Sequence, residues 1–496
     1  MVFAAFGKFQ QAGIGISFSL VIVLLATLTL TAPVLRLAGR WAFWPQRISR
    51  GGTGGLSARG NPTQVSTGSK LPVAPLTLNS SPQRGKGGDG SLLQALWEKV
   101  AARLERRPGL ILFASIAAML PFAILGWQTH NQLSYGLLTT LPADAPSVMG
   151  TKSLQKHFPA GFTGPTTVLV RSDSTNFGDS DGAELIGRLT AWLTEQREDL
   201  NLRDVRSRTK PLGITEAATS YLAGVPPARR IGLQGVLRKK AIDRYVSQAD
   251  ALGGKVTQFD LVFDLDPFAR ESISHLDRLE RAVREEFPKH LPTGTQLEFV
   301  GSTASIRDLK DVRAADQVRI GVLVCVSIFV ILLLLLRKPV VSLYLIVSVL
   351  LSYLMAFGAT YAVFWLLDPT GFPGLDWKLP MLLFTILVAV GEDYNIFLMA
   401  RIEEEQRLHG PVKGVTIALA TTGRIISSCG LIMAGTFSAL IAGSLVSMRQ
   451  LGFALAFGVL LDTFVIRPVL VPAFLILLHR RGRSVTVPES RSELAG

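Results

Sequence analysis

Leu379-Pro-Met-Leu-Leu-Phe-Thr-Ile-Leu-Val-Ala-Val-Gly391-Glu392-Asp393-Tyr394-Asn395-Ile-Phe397-Leu-Met-Ala-Arg401 is an apolar stretch interrupted by two adjacent acids. At 1.5 Å per residue it is long enough to cross a hydrocarbon core of ~30 Å. An acid in mid-helix costs ~2.5–3.5 kcal/mol on insertion scales. A chain keeps one there to take up protons, to bind an ion or to make a buried pair. The bland alternative is that Glu392 and Asp393 mark the cytoplasmic end of the helix. However, the first cation, Arg401, follows Asp393 by ~10 Å of helix, which favours the functional reading. Tyr394 adds a hydroxyl that can reach a partner carboxylate.

Working outward, we find six further apolar stretches, so the count is seven: roughly 13–35, 109–127, 319–336, 339–366, 379–400, 425–443 and 451–478. With 48% hydrophobic and only 18% charged residues, the chain is expected to be an α-helical polytopic membrane protein. The first stretch is too long for a signal peptide and has no small-residue cleavage site. The net charge of +14 suggests nucleic acid, but its distribution argues against that partner. From Arg36 to Arg107, twelve Lys/Arg face only Asp89, Glu98 and Glu105, leaving +9 in one stretch, as on the cytoplasmic side of a membrane protein. Arg337-Lys338, the Arg401–Lys413 loop and Arg480-Arg481-Gly-Arg483 read as cytoplasmic by the same rule. Alternation then places residues 128–318 outside, in the periplasm if there is one, and the protein in the cell inner (plasma) membrane.

The domain reading follows. Residues 1–40 hold one span, and 41–108 a cytoplasmic linker and an amphipathic helix. Residues 109–127 are a second span, 128–318 an outer domain, 319–480 a five-helix bundle and 481–496 a cytoplasmic tail. The Gly/Ser/Pro/Arg-rich section 41–92 cannot bury a core and is expected to be disordered. The helix carrying Leu92, Leu93, Leu96, Trp97, Val100 and Leu104 either lies on the membrane surface or extends the next span. In the outer domain, 166–171, 258–264 (half-buried) and 296–300 read as strands, and 182–195 and 272–287 as helices. This order fits an α+β sandwich of ferredoxin-like type.

The first and last spans superimpose on a shift of 439 residues: Gln11 with Gln450, Gly13 with Gly452, Phe18 with Phe457, Pro33 with Pro472. We read this as the last span of one repeat followed by a complete second repeat, a transporter architecture. The last span also carries Asp462 and Arg467, which lie 140° apart on an α-helix and so need not pair with each other. They form a charge network facing the bundle interior or a structural pair, and their counterparts in the first span are Val23 and Leu28. Gly430, Ala434, Ser438 and Ala442 recur every four residues, which permits close helix packing. Cys325 and Cys429, both in predicted spans, fit neither a disulfide framework nor zinc. There is no phosphate-binding Gly-rich loop, no nucleophile–base set and no histidine metal spacing. Enzyme chemistry is therefore not expected, and neither is a cofactor.

At Gly391-x-Asp393-Tyr394-x-x-Phe397, followed by Arg401-x-Glu403-Glu404, the sequence resembles the MMPL branch of the RND superfamily. Ala420-Thr-Thr-Gly423-Arg424-Ile-Ile-Ser427-Ser428 is similar to that family's next span, and Asp462 and Arg467 with the preceding Phe-Gly to its last. Leu141-Pro-Ala-Asp144 with Phe158-Pro-Ala-Gly161 looks like the start of its second porter domain. The resemblance implies twelve spans in two repeats, two outside porter domains, and proton-driven export of lipids or hydrophobic compounds. It also implies a second Asp-Tyr pair from a first repeat, facing Asp393 and Tyr394. The chain is thus expected to be a half-transporter, a split-gene product or a truncated reading, working with a first-repeat half or another copy. The proton relay is expected at Asp393, Tyr394, Asp462, Arg467 and Glu392, powered by the proton gradient. The alternatives are a non-transporting membrane scaffold and a lipid- or sterol-sensing subunit of the same fold.

Overall fold

The structure, a computed structural model, describes residues 7–38, 90–136, 138–214 and 227–483. The proposed linker, apart from its last residues, and most of the tail lie outside them. The chain divides into two units, residues 1–92 and 93–496. The first contains helix α1 (Gly7–Ala38). Its serines are satisfied within the helix: Ser17 and Ser19 donate to the carbonyls of Gly13 and Gly15 at 2.8 and 2.9 Å.

The second unit takes in nearly all of α2 (Gly90–Arg106), then α3 (Pro108–Thr129), with Pro108 at the first helical turn. Next come β1 (Leu133–Ser134), α4 (Pro146–His157), β2 (Thr166–Arg171), α5 (Ser180–Glu195), β3 (Leu202–Arg206) and α6 (Pro227–Tyr245). The domain before the helical bundle closes with β4 (Val256–Phe263), α7 (Arg270–His290) and β5 (Gln296–Val300). The remainder is α8 (Ser302–Leu336), α9 (Pro339–Leu367), β6 (Leu375–Asp376), α10 (Leu379–His409), α11 (Lys413–Ser438), α12 (Val446–Leu461), a π-helical segment (Asp462–Leu470) and α13 (Val471–Arg483).

Among the described residues, six helices are long and apolar enough to cross a membrane, against the seven expected. They are α3, α8, α9, α10, α11 with its following 3₁₀ turn, and α12 with the π segment and α13. The described apolar section of α1, Gly13–Thr27, is shorter than a span. The bundle closes by small-residue contacts. Gly126 and Gly358 let α3 and α9 cross backbone against backbone: a Cβ on Gly126 would lie 2.2 Å from the carbonyl oxygen of Leu354. One on Gly358 would lie 1.9 Å from that of Phe122. Backbone cannot step aside, so Gly358→Ala should destabilise the chain by about 1–3 kcal/mol. Gly435→Ala, where nothing stands within 4 Å, should stay within about 0.5 kcal/mol. Denaturant titration in mixed micelles measures both, and equal effects would refute the crossing.

The domain of residues 128–318 is a four-stranded antiparallel sheet in the order β3-β4-β2-β5, built from a β-α-β-β-α-β run with α6 inserted between its second and third strands. One face packs on α5 and α7 through Val168, Val170, Ile186, Leu189, Phe259 and Phe287. The central strand β4 is buried along nearly its whole length, not the half expected, because Asp260 on the other face is also covered. Thr167 Oγ1 donates to it at 2.8 Å, and Arg244 lies at 3.5 Å. The expected boundary at 318/319 is not a structural break. Helix α8 runs without interruption from the sheet domain into the bundle. Gly301, at φ 139°, turns β5 into it, with the Pro165 carbonyl 2.8 Å from where a Cβ would sit. Arg307 on α8 pairs with Glu280 on α7. Burial pushes the Glu280 carboxyl up, but hydrogen bonds from Arg307 and Arg284 outweigh it and hold the group below the usual carboxylate range.

On the same side, β1 pairs with β6, and the backbone N–H of Asp376 donates to Gln450 Oε1 at 2.9 Å. Gln450, one of the positions that repeat at a spacing of 439, thus pins the loop before α10.

Candidate functional site

The acidic stretch that decides the fold lies on α10, and the face each acid takes follows from helical periodicity. Gly391, Glu392 and Asn395 are buried, whereas Asp393 is exposed on the opposite side. Gly391 faces Asp462, whose Oδ2 would stand 3.4 Å from a Cβ there, an ordinary contact.

Asp462 and Arg467 meet, contrary to the 140° separation expected for an α-helix. Residues 462–470 form a π-helix, whose i→i+5 pattern brings residues five apart onto one face. Pro468 lies within that segment and donates no backbone hydrogen bond, one source of the irregularity. Arg467 Nη2 stands 4.0 Å from Asp462 Oδ2, both side chains 2% exposed. The same nitrogen donates to the carbonyls of Val390 and Gly391 at 3.3 and 3.4 Å. The guanidinium lies over the Tyr394 ring, 4.5 Å from its centroid. Ser352 on α9 donates to Asp462 Oδ1 at 2.5 Å. The hydroxyl of Tyr394 reaches no carboxylate; its partner is Met433 Sδ at 3.5 Å.

Several groups in this core are left without hydrogen bonds. Both oxygens of Glu392, Asn395 Oδ1, Asp462 Oδ2, Thr463 Oγ1 and Arg467 Nη1 are buried and unpartnered. Glu392 also forms part of the wall of a cavity of about 10 Å³ beside Cys325 and Val349, roughly the volume of one water. The structure therefore gathers Glu392, Tyr394, Asp462 and Arg467 and leaves Asp393 apart from them.

The small-residue stripe is shorter than expected. Gly430 meets Thr463 of the π segment, whose Oγ1 would lie 2.2 Å from a Cβ, and Ala434 is buried. Ser438 and Ala442 are exposed and do not pack. Instead the stripe continues through Ser427 to Gly423, where Trp97 of α2 seats. A Cβ on Gly423 would lie 2.8 Å from that indole. Trp97 Nε1 donates to Ser427 Oγ at 3.1 Å, and the ring stacks on Phe464 with centroids 6.2 Å apart. The amphipathic helix α2 is therefore docked on the bundle through Trp97, Ala101 and Leu104, and α3 starts as a separate helix after Arg107. Sequence reasoning missed this contact, though its signal was present in one Trp on the apolar face of α2 and a Gly and a Ser four apart on α11.

A family model described as the MMPL family matches residues 1–111 and 139–494. The chain belongs to the MMPL family. This MMPL chain is 30% identical over 399 residues to a membrane protein of Streptomyces coelicolor, covering 80% of this chain and 41% of that one. It is 28% identical over 485 residues to the apo-petrobactin exporter of Bacillus anthracis, covering 97% and 54%. It is 33% identical over 296 residues to the sulfolipid-1 exporter of Mycobacterium tuberculosis, covering 59% and 27%. The chain thus spans about half, or less, of the length of these curated relatives.

Proposed function

We propose that this MMPL chain is the second-repeat part of a proton-driven exporter of lipids or other hydrophobic compounds. The observation that carries the reading is a charge count in the core. Among the described residues, Glu392 and Asp462 are opposed there by Arg467 alone, and an arginine keeps its charge. Within a bundle built to span a membrane, one proton on the acid pair restores neutrality, and one released proton unbalances it again. Such a site binds and releases a proton as the helices around it move. The exposed Asp393 supplies the other half of the reading. A charged residue on an otherwise apolar span calls for a covering surface, and we assign that surface to a first-repeat half or another copy. The lengths of the relatives, two of them exporters by name, support this assignment.

The β-α-β-β-α-β run and its strand order support a ferredoxin-like porter domain for residues 128–318. The basic loops support an inner (plasma) membrane topology with that domain outside. Efflux of a fluorescent phospholipid from proteoliposomes tests the function, with the chain reconstituted alone and together with its first-repeat half. Efflux should require both parts and an imposed pH gradient, and should stop with a protonophore. A rate indifferent to the gradient would overturn proton driving.

A further inference from the structure

A second group of buried polar side chains lies at the outer end of the membrane helices, away from the acids of α10. Arg313 on α8 is 3% exposed, and its Nε and Nη1 make no hydrogen bond. Leaving two guanidinium donors unused inside a protein is costly, so the position calls for an acceptor. Asp316, three residues on, is also buried and has partners of its own. Gln317, one turn inward from Arg313, has a buried Oε1 that accepts nothing. His130, just after α3, faces Arg313 electrostatically and holds its Nδ1 3.5 Å from the Tyr353 hydroxyl.

An apolar cavity of about 230 Å³ lies one turn along α8 from Arg313, between α3, α8, α9 and α10. His130, Gln317 and Tyr353 line it together with Leu350, Leu354 and Phe384, and Trp127 at its edge is 73% exposed. On the other side, a cleft of about 400 Å³ under the outer domain is lined by Tyr135 and Arg270, with Tyr135 within the field of Arg313. Arg313 lines neither, but is buried one turn from Gln317, whose side chain forms part of the wall of the apolar cavity.

We propose that Arg313 and Gln317 bind the headgroup of an anionic amphiphile, its phosphate or carboxylate on Arg313 Nε and Nη1 and its chain in the cavity below, seated by rotation of the Gln317 side chain. Two donors in the fixed fork of a guanidinium match two oxygens of such a group. A zwitterionic headgroup would bring a cation toward Arg313 and bind less well. The histidine is suited to this role. Burial and then the charge of Arg313 lower its pKa to about 4, so at neutral pH it is a neutral hydrogen-bonding group beside one cation. Asp316 limits the positive charge of the site, which favours a headgroup with a single negative charge.

The inference rests on reading the chain as an exporter of hydrophobic compounds. Its test measures binding alone, so loss of proton coupling would leave it untouched. The full chain is placed in nanodiscs of mixed phosphatidylglycerol and phosphatidylcholine, and the lipid retained after extraction is counted by native mass spectrometry. Phosphatidylglycerol should be retained about tenfold over phosphatidylcholine, and Arg313→Gln should erase that preference. Should Arg313→Gln fail to fold, Gln317→Glu places a like charge at the site and should erase it as well. Equal retention of the two lipids, or a preference surviving both substitutions, would overturn the site. Displacement of the lipid by millimolar inorganic phosphate would show a free-anion site and overturn the amphiphile assignment.

Discussion

Replacing Asp393 by Asn should reduce proton-driven efflux to the rate seen without a gradient, in a complex that contains both repeats, while the chain stays folded. The side chain is exposed in this structure, so its amide leaves no buried group unsatisfied within the chain. A surface change of that kind moves stability by about 0.5 kcal/mol or less. The functional loss is large because an amide cannot take up the proton that a carboxylate can. Glu392→Gln removes one acid of the buried pair and should lower gradient-driven efflux as well, but because that side chain is buried it should also shift stability, which Asp393→Asn should not. Efflux under an imposed pH gradient and thermal unfolding in the same lipid give the two readouts. If Asp393→Asn transports at the wild-type rate with the gradient intact, the acid has no part in proton movement.

The second large effect concerns stability. Arg467→Met alone leaves Asp462 and Glu392 unopposed in the bundle, and Asp462→Asn alone removes the nearer counter-charge of Arg467. Breaking a buried pair from one side costs about 3–5 kcal/mol. The double substitution removes both charges and should recover part of that, with a coupling energy of about 1–3 kcal/mol. The guanidinium also binds the Val390 and Gly391 carbonyls and covers the Tyr394 ring. Arg467→Met should therefore be the more damaging single change. Denaturant titration of the four proteins measures the cycle. Strictly additive losses would mean that the two side chains do not act as a pair.

Much of this architecture was legible in the chain, for reasons specific to each element. Strands 166–171 and 296–300 stand where the sequence reading put them, because β-branched and aromatic residues alternate there between clear turn signals. Strand β3 went unread because Leu-Arg-Asp-Val-Arg looks like a loop. Its Asp204 is fully buried and tolerated there only by tertiary partners, accepting from the N–H groups of Val205 and Ile214 and pairing with Arg206. Helix α6, rich in Arg and Lys, shows no clean apolar stripe. The family was legible because its motifs combine several residue types at fixed spacing. The pairing of Asp462 with Arg467 was not, because a period of 3.6 residues was assumed where the chain is π-helical. Pro468 was the available warning. The docking of Trp97 on Gly423 joins two helices more than 300 residues apart, a relation that no local spacing rule carries.

Helix α8 has a mechanical consequence. Its 35 residues form a rod of ~52 Å, of which the outer seventeen reach ~25 Å beyond the apolar section. A tilt of ~10° about the membrane boundary, with no bend in the rod, sweeps its outer tip through ~4 Å. The Arg307–Glu280 pair clamps α7 to the shaft, while Gly301 leaves the sheet a swivel at the tip. A small displacement among the spans would in this way become a larger one at the cleft lined by Tyr135 and Arg270.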